Sequence, residues 1–277
     1  MEETIEVYID FLRDVRHMSK NTYISYKRDL EKFGKYFISQ GVYAVNKINQ
    51  TNINSYILWL EKNGHSSSTI ARHIASMKSF FRYLLNEGKI SSDPTMFVHG
   101  PVIEKKNPKI IEMEKVDKLL SQPDPDTDKG VRDKAMLELM YATGLKVTEL
   151  ISIIVDDVNT ASNYFILKEN NKERFVSYDD RVGFYVNKYI NGARNRLIKG
   201  DEKFLFVNCS GKPMSRQGFW KLIKKYAKDA GLDEDITPYS LRHSFAKALV
   251  KKGEDEKNIQ KKLGYISLSS VNRYKNS

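Results

Sequence analysis

Apolar side chains recur every three or four positions along the first hundred residues, and polar clusters interrupt them. Ile5, Tyr8, Ile9 and Leu12 form one stripe; Tyr23, Tyr26, Leu30, Phe33 and Phe37 form a second. Ile57, Leu58 and Leu60 mark a third, and Ile70, Ile74, Met77, Phe80, Phe81 and Leu84 a fourth. This spacing predicts four amphipathic helices. Ser19 to Thr22 and Ser66 to Ser68 supply N-terminal capping groups, while Gly41, Gly64 and Gly88 mark the stops. The result is an all-helical domain of about 90 residues with short connections.

Ser91-Ser92-Asp93-Pro94 breaks the fourth helix, and residues 99–109 follow with two prolines and no apolar periodicity. That stretch reads as a basic linker between a domain over 1–98 and another over 110–277. In the second half a helix starts at Met113, and Arg132 to Tyr141 forms another that runs into Ala142-Thr143-Gly144-Leu145-Lys146-Val147-Thr148-Glu149-Leu150. Tyr164 to Leu167 and Arg174 to Tyr178 are β-prone and flank a turn at Glu169-Asn170-Asn171, which predicts a hairpin. A short strand around residues 204–208 and a Gly211-Lys212-Pro213 turn come next. Ser215 then caps a helix that turns Phe219, Leu222, Ile223 and Tyr226 inward. Thr237 and Pro238 open a further helix, carrying Leu241, Phe245, Ala248 and Leu249 to a stop at Gly253. Gly264 ends a last one with Ile259 and Leu263. The expected fold class is mainly α with a small β-sheet, a helical domain followed by an α+β domain.

Composition narrows the function. The chain has 277 residues, is 40% hydrophobic and carries a formal charge of +11. Its lysines and arginines are spread along the sequence, which points to a polyanionic partner, with nucleic acid foremost. Cys209 is the single cysteine, so no internal disulfide and no cysteine-based zinc site are expected. The histidines show no metal-ligand spacing. No apolar run approaches the length of a membrane span, and the N-terminal residues do not form a signal peptide. A cytoplasmic protein without membrane attachment is the expectation.

The stretch Thr237-Pro238-Tyr239-Ser240-Leu241-Arg242-His243, then Leu263-Gly264-Tyr265, then Tyr274, resembles the C-terminal boxes of the tyrosine recombinases, the phage-integrase and Xer-like family. Their pattern is approximately His-x-Leu-Arg-His, Leu-Gly-His and a nucleophilic tyrosine shortly after. Arg242, His243, Gly264 and Tyr274 fit, while Tyr239 and Tyr265 stand where the family usually has histidine. Ala142 to Leu150 is similar to the family's Ala-Thr-Gly-Leu-Arg box, with Lys146 in place of the first arginine and Glu149 in a supporting position. The hairpin resembles one that carries a proton-donating lysine. A gapless match puts Glu169 there, a one-residue shift puts Lys168 there, and Lys172 is the second candidate.

The resemblance implies a helical core-binding domain, a catalytic domain and a DNA clamp. It also implies strand exchange through a 3′-phosphotyrosine, which conserves the phosphodiester energy and requires no cofactor or metal. The implied catalytic set is Lys146, Lys168, Tyr239, Arg242, Tyr265 and Tyr274, with Tyr274 as nucleophile and Arg242 as phosphate clamp. Implied DNA contacts are Lys20, Asn21, Thr22, Tyr26, Ser68, Thr69 and Arg72 in the first domain, with Arg216 and Gln217 reading the major groove. Hydroxyls, amides and free backbone N–H groups at helix starts suit phosphate oxygens. Capping accounts equally for Asn21 and Ser68. The implied partners are duplex DNA and further recombinase subunits, which assemble on DNA as a tetrameric synapse. Only Lys275, Asn276 and Ser277 follow Tyr274, so a monomer in solution is expected. The alternative is a recombinase-fold protein that binds DNA without efficient cleavage. A type IB topoisomerase, which shares the chemistry, fits the short basic core less well.

Overall fold

The computed structural model describes residues 1–102, 110–169, 172–232, 236–265, 267–272 and 274, the side chains of Glu169 and Lys172 excepted. The chain divides into two compact units, Met1–Lys105 and Lys106–Ser277.

The first unit is helical. It holds α1 (Glu2–Asp10), α2 (Lys20–Ser39), α3 (Gln50–Lys62) and α4 (Ser67–Asn86). The first, second and fourth apolar stripes turn inward, and Tyr8, Leu30, Phe33, Phe80, Phe81 and Leu84 are fully buried; in the third helix the expected Leu58 is 54% exposed, because the inward face at helical spacing is Ile53, Tyr56 and Leu60. The aromatic rings meet edge to face, Tyr8 on Phe80 at 5.2 Å and Phe33 on Tyr56 at 5.3 Å between centroids. Ser19 caps α2 by accepting from the Thr22 N–H, and Ser66 caps α4 by accepting from the Thr69 N–H. Asn21 and Ser68 therefore sit inside the first turns and do not make the caps. Beneath the stripe, α2 and α4 are fastened by an ionic contact, Arg72 Nη1 to Asp29 Oδ1 at 2.6 Å.

The second unit is built around α6 (Asp128–Thr143), which is buried on nearly all sides. Around it lie α5 (Met113–Leu120), α7 (Val147–Ser152), α8 (Asp180–Lys188), α9 (Arg194–Leu197), α10 (Arg216–Asp229) and α11 (Pro238–Lys251). Its buried Asp133 takes Arg132 at 2.6 Å and the Tyr226 hydroxyl at 2.8 Å, so the charge on this core helix is fully partnered. A three-stranded antiparallel sheet, β1 (Val158–Asn159), β2 (Tyr164–Glu169) and β3 (Lys172–Ser177), runs in that order. The β2–β3 register pairs Phe165 with Val176 and Lys168 with Glu173. The expected hairpin turn at Asn170-Asn171 lies outside the described residues, and Glu169 belongs to β2. Also outside them are 103–109 of the expected linker and the three residues after Tyr274. Residues 204–208 make isolated bridges, Ile154 with Phe204 and Val207 with Pro213, in place of the short strand expected there. The segment is pinned by side chains: Arg194 Nε donates to the Leu205 carbonyl at 3.1 Å.

The last elements are α12 (Glu256–Leu263) and α13 (Ser269–Asn272). With α11 they enclose a small separate core of Ala246, Leu249, Ile259, Leu263, Val271 and Tyr274. No described helix is long and apolar enough to cross a membrane.

Candidate active site

Gly144 brings the site together. It ends α6 at φ 61° in the left-handed region, and a Cβ there would lie 2.4 Å from Phe245 and 2.6 Å from Leu263. Only glycine lets α6 stop this close to α11 and α12. Its carbonyl then accepts from Arg242 Nη1, and the Leu263 carbonyl accepts from Arg242 Nη2. Leu263 closes α12, whose C-cap Gly264 is also left-handed at φ 61°. The Arg242 guanidinium is thus fixed by two helix ends while its own residue is only 4% exposed.

Glu149 supplies the counter-charge. Its Oε2 accepts from the Lys146 backbone N–H at 2.7 Å, half of a capping box at the start of α7. Three side-chain cations converge on the same carboxylate. Arg174 Nη2 lies 3.1 Å from Oε1, Lys146 Nζ 3.5 Å from Oε1, and Arg242 Nη1 3.8 Å from Oε2. Arg174 reaches from β3 and also donates to the carbonyls of Lys261 and Lys262 at the end of α12. One carboxylate against three cations leaves a net positive site, suited to an anion. Beside it a cavity of about 70 Å³ is lined by Lys146, Thr148, Arg216, Tyr239 and Arg242. Lys146, 41% exposed in its side chain, is the most exposed of the three cations.

The phenols Tyr265 and Tyr274 also gather at Arg242 and His243. The Tyr265 ring stacks under the Arg242 guanidinium at 4.9 Å. The Tyr265 and Tyr274 hydroxyls are hydrogen-bonded at 2.9 Å, and Tyr274 OH also bonds His243 Nδ1. Lys247 Nζ donates to the Tyr274 carbonyl at 2.8 Å, holding the backbone of the last turn. Tyr274 is wholly buried, whereas Tyr239 is 66% exposed. The Tyr239 ring leans on His243, with 6.1 Å between centroids.

Of the six catalytic candidates, the structure gathers Lys146, Tyr239, Arg242, Tyr265 and Tyr274. Lys168 stands apart on β2, where its ammonium meets Asp157 at 2.6 Å. That ion pair raises its pKa. The nucleic-acid candidates fall at helix starts: Lys20, Asn21, Thr22 and, a turn further on, Tyr26 in α2; Ser68, Thr69 and Arg72 in α4; Arg216 and Gln217 in the exposed first turn of α10. Two residues gain a place here that spacing alone did not give them. Arg174 was legible only as a strand residue. His243 was legible only as the neighbour of Arg242, and its contact depends on where the chain end returns.

A model of the phage integrase family matches residues 109–277, and that of the phage integrase N-terminal SAM-like domain matches residues 5–88. The chain belongs to the phage integrase family. Tyrosine recombinase XerD of Staphylococcus haemolyticus is 39% identical over 276 residues, spanning 99% of this chain and 94% of the relative. Tyrosine recombinase XerD of Oceanobacillus iheyensis is 41% identical over 278 residues, spanning 99% and 93%. Among solved structures, XerH site-specific recombinase bound to a difH substrate superposes with a TM-score of 0.77 at 18% identity, over 99% of this chain and 82% of that one. A lambda integrase dimer bound to a COC′ core site gives 0.75 at 15% identity, over 99% and 94%. The structures establish the shared fold; the sequence relatives bear out the expected tyrosine recombinase. The family's integrase region coincides with the unit that carries Glu149, Arg242 and Tyr274.

Proposed function

We propose that this chain is a site-specific DNA recombinase that cuts and rejoins strands through a 3′-phosphotyrosine at Tyr274. The convergence of Lys146 and Arg242 on Glu149, with the Tyr265 ring against the Arg242 guanidinium and its hydroxyl bonded to that of Tyr274, carries the reading. The phenol oxygen attacks the scissile phosphorus, and Arg242 and Lys146 neutralise the charge growing on the non-bridging oxygens. Lys168 gives the departing 5′-oxygen its proton. A 5′-hydroxyl from another strand then reverses the step. Tyr239 and Tyr265 add hydrogen bonds at the phosphate without adding charge. Residues 1–98 serve as a core-binding domain, 99–109 as linker and 110–277 as catalytic domain. Lys20, Asn21, Thr22, Tyr26, Ser68, Thr69 and Arg72 contact the duplex from one domain, Arg216 and Gln217 from the other. Further copies join on DNA as a tetramer, and the reaction takes place in the cytoplasm.

The second reading, DNA binding without efficient cleavage, is favoured by the complete burial of Tyr274 and the pairing of Lys168 with Asp157. One experiment separates the two. A duplex selected by the protein from a randomised pool is nicked to trap the intermediate, and adducts are resolved on a denaturing gel. The native chain forms an adduct, Tyr274→Phe forms none, and both bind the duplex with similar affinity that falls steeply with salt. Binding without any native adduct would establish the second reading. A nucleotide mapped to Tyr239 or Tyr265 would overturn the choice of nucleophile.

A further inference from the structure

The tyrosine that must lose a proton is bonded to an imidazole one helical position beyond Arg242. From this we infer that His243 is a catalytic residue, the base that takes the Tyr274 proton; the inference rests on the proposed recombinase reading. A phenol is a weak nucleophile at neutral pH, and phosphotyrosine formation requires its proton to leave as the oxygen approaches phosphorus. Two groups touch the Tyr274 oxygen among the described contacts. One is the Tyr265 hydroxyl at 2.9 Å, and the other is His243 Nδ1. A second phenol is no better a base than the first. Imidazole is the group whose ordinary proton affinity matches the task. Tyr239, which stands where a histidine is usual in this family, is mostly exposed, and among the described contacts its ring meets His243 and not Tyr274.

The surroundings fit a base. Helix α11 holds His243 by its neighbours: Arg242 is locked onto the Gly144 and Leu263 carbonyls, and Ser244 Oγ donates to the Ser240 carbonyl at 2.9 Å. The ring faces Tyr274 and Tyr239; on the same helix Arg242 and Lys247 carry charge, Lys247 donating to the Tyr274 carbonyl, and Tyr265 is reached through Tyr274. For Nδ1 to accept, the ring proton sits on Nε2, and Tyr265 donates to Tyr274. The Tyr274 O–H proton passes to His243 Nδ1, the Tyr274 oxygen–phosphorus bond forms, and the phosphorus–5′-oxygen bond breaks. Lys168 protonates the departing oxygen, and the imidazolium and the lysine re-equilibrate through solvent. In the reverse step His243 returns the proton to the phenol.

The test uses the self-selected nicked duplex in two forms, one with the natural 5′-oxygen and one with sulfur bridging at the scissile position. Sulfur leaves without acid assistance, so only a base defect survives the change. His243→Ala should form adduct about 10²-fold more slowly on both substrates with unchanged duplex affinity. His243→Asn, which places an amide near the Nδ1 position but cannot take a proton, should be equally slow. It also guards against a variant that merely fails to fold. Adduct formation by the native chain should show an imidazole-type acidic limb that both variants lack. Recovery of His243→Ala on the sulfur substrate would make His243 an acid and overturn the inference. Recovery by His243→Asn would reduce it to positioning, and faster cleavage by His243→Ala would make it a restraint on a stored nucleophile. Absence of any adduct from the native chain would instead strike the recombinase reading itself.

Discussion

Asp29 in the first unit and Glu149 in the second are both buried carboxylates beside arginine, and the two arrangements behave differently. In the first unit Asp29 meets Arg72 at 2.6 Å and His73 Nε2 at 3.3 Å, and its Oδ2 accepts no hydrogen bond among the described residues. Burial pushes the Asp29 carboxyl up to about 6, against the downward pull of Arg72. Burial, with help from Arg72, holds His73 down to about 4. In the second unit both oxygens of Glu149 are engaged, by Arg174, Lys146 and Arg242 and by a backbone N–H. Asp29 is a partly satisfied fastener between two helices. Glu149 is a fully engaged counter-charge that fixes where three positive groups point. Burial of a carboxylate therefore says little by itself; what decides its role is whether the cations around it are used up or left facing a ligand.

Exchanging each carboxylate for its amide sharpens the contrast most. Glu149→Gln removes the one negative charge balancing Lys146, Arg174 and Arg242. Adduct formation on the nicked duplex should fall by about 10²–10³-fold, the scale of losing one preorganised electrostatic partner. Retention of the native rate would mean that the three cations hold their places without it.

Asp29→Asn should alter stability with a definite sign. A carboxyl raised above its unfolded value contributes stability that is present at low pH and lost as the pH climbs through about 6. The variant lacks that loss. Its unfolding free energy from urea titration should coincide with the native one near pH 4 and exceed it above pH 6, by on the order of 1–3 kcal/mol. His73 contributes with opposite sign, its stability being lost as the pH falls toward about 4, and because it touches Asp29 the comparison is read above pH 6, where His73 is neutral. A native chain more stable than the variant at pH 7 would show that the Arg72 pair outweighs the burial cost.

Lys146→Arg is the smallest change. The side chain is 41% exposed beside the cavity, so the longer guanidinium has room to reach past Glu149. A forked donor in place of a point charge should raise single-turnover cleavage roughly tenfold. An unchanged or lower rate would show that the site is built for an ammonium.

The sequence by itself determined a great deal. Apolar spacing placed the first four helices, because a buried stripe needs only its own segment to declare itself. Gly144, Gly264, Ser215 and Thr237 marked helix ends through local backbone and capping chemistry, and each acts there in the structure. The boxes around Lys146, Arg242 and Tyr274 named the family. Tertiary structure alone decided which partners these residues keep. Lys168 meets Asp157 because β2 runs past the turn before β1, a pairing that no spacing within the hairpin encodes. Arg174 joins Glu149 because β3 passes the end of α12, and the β-prone residues of 204–208 are pinned by Arg194 instead of laddering. His243 and Tyr274, far apart in sequence, touch only because α12 and α13 fold the chain end back onto α11 and bury it there. Helical period and caps are properties of neighbours in the chain, but a charge or a phenol acquires its chemistry from whatever the fold brings against it.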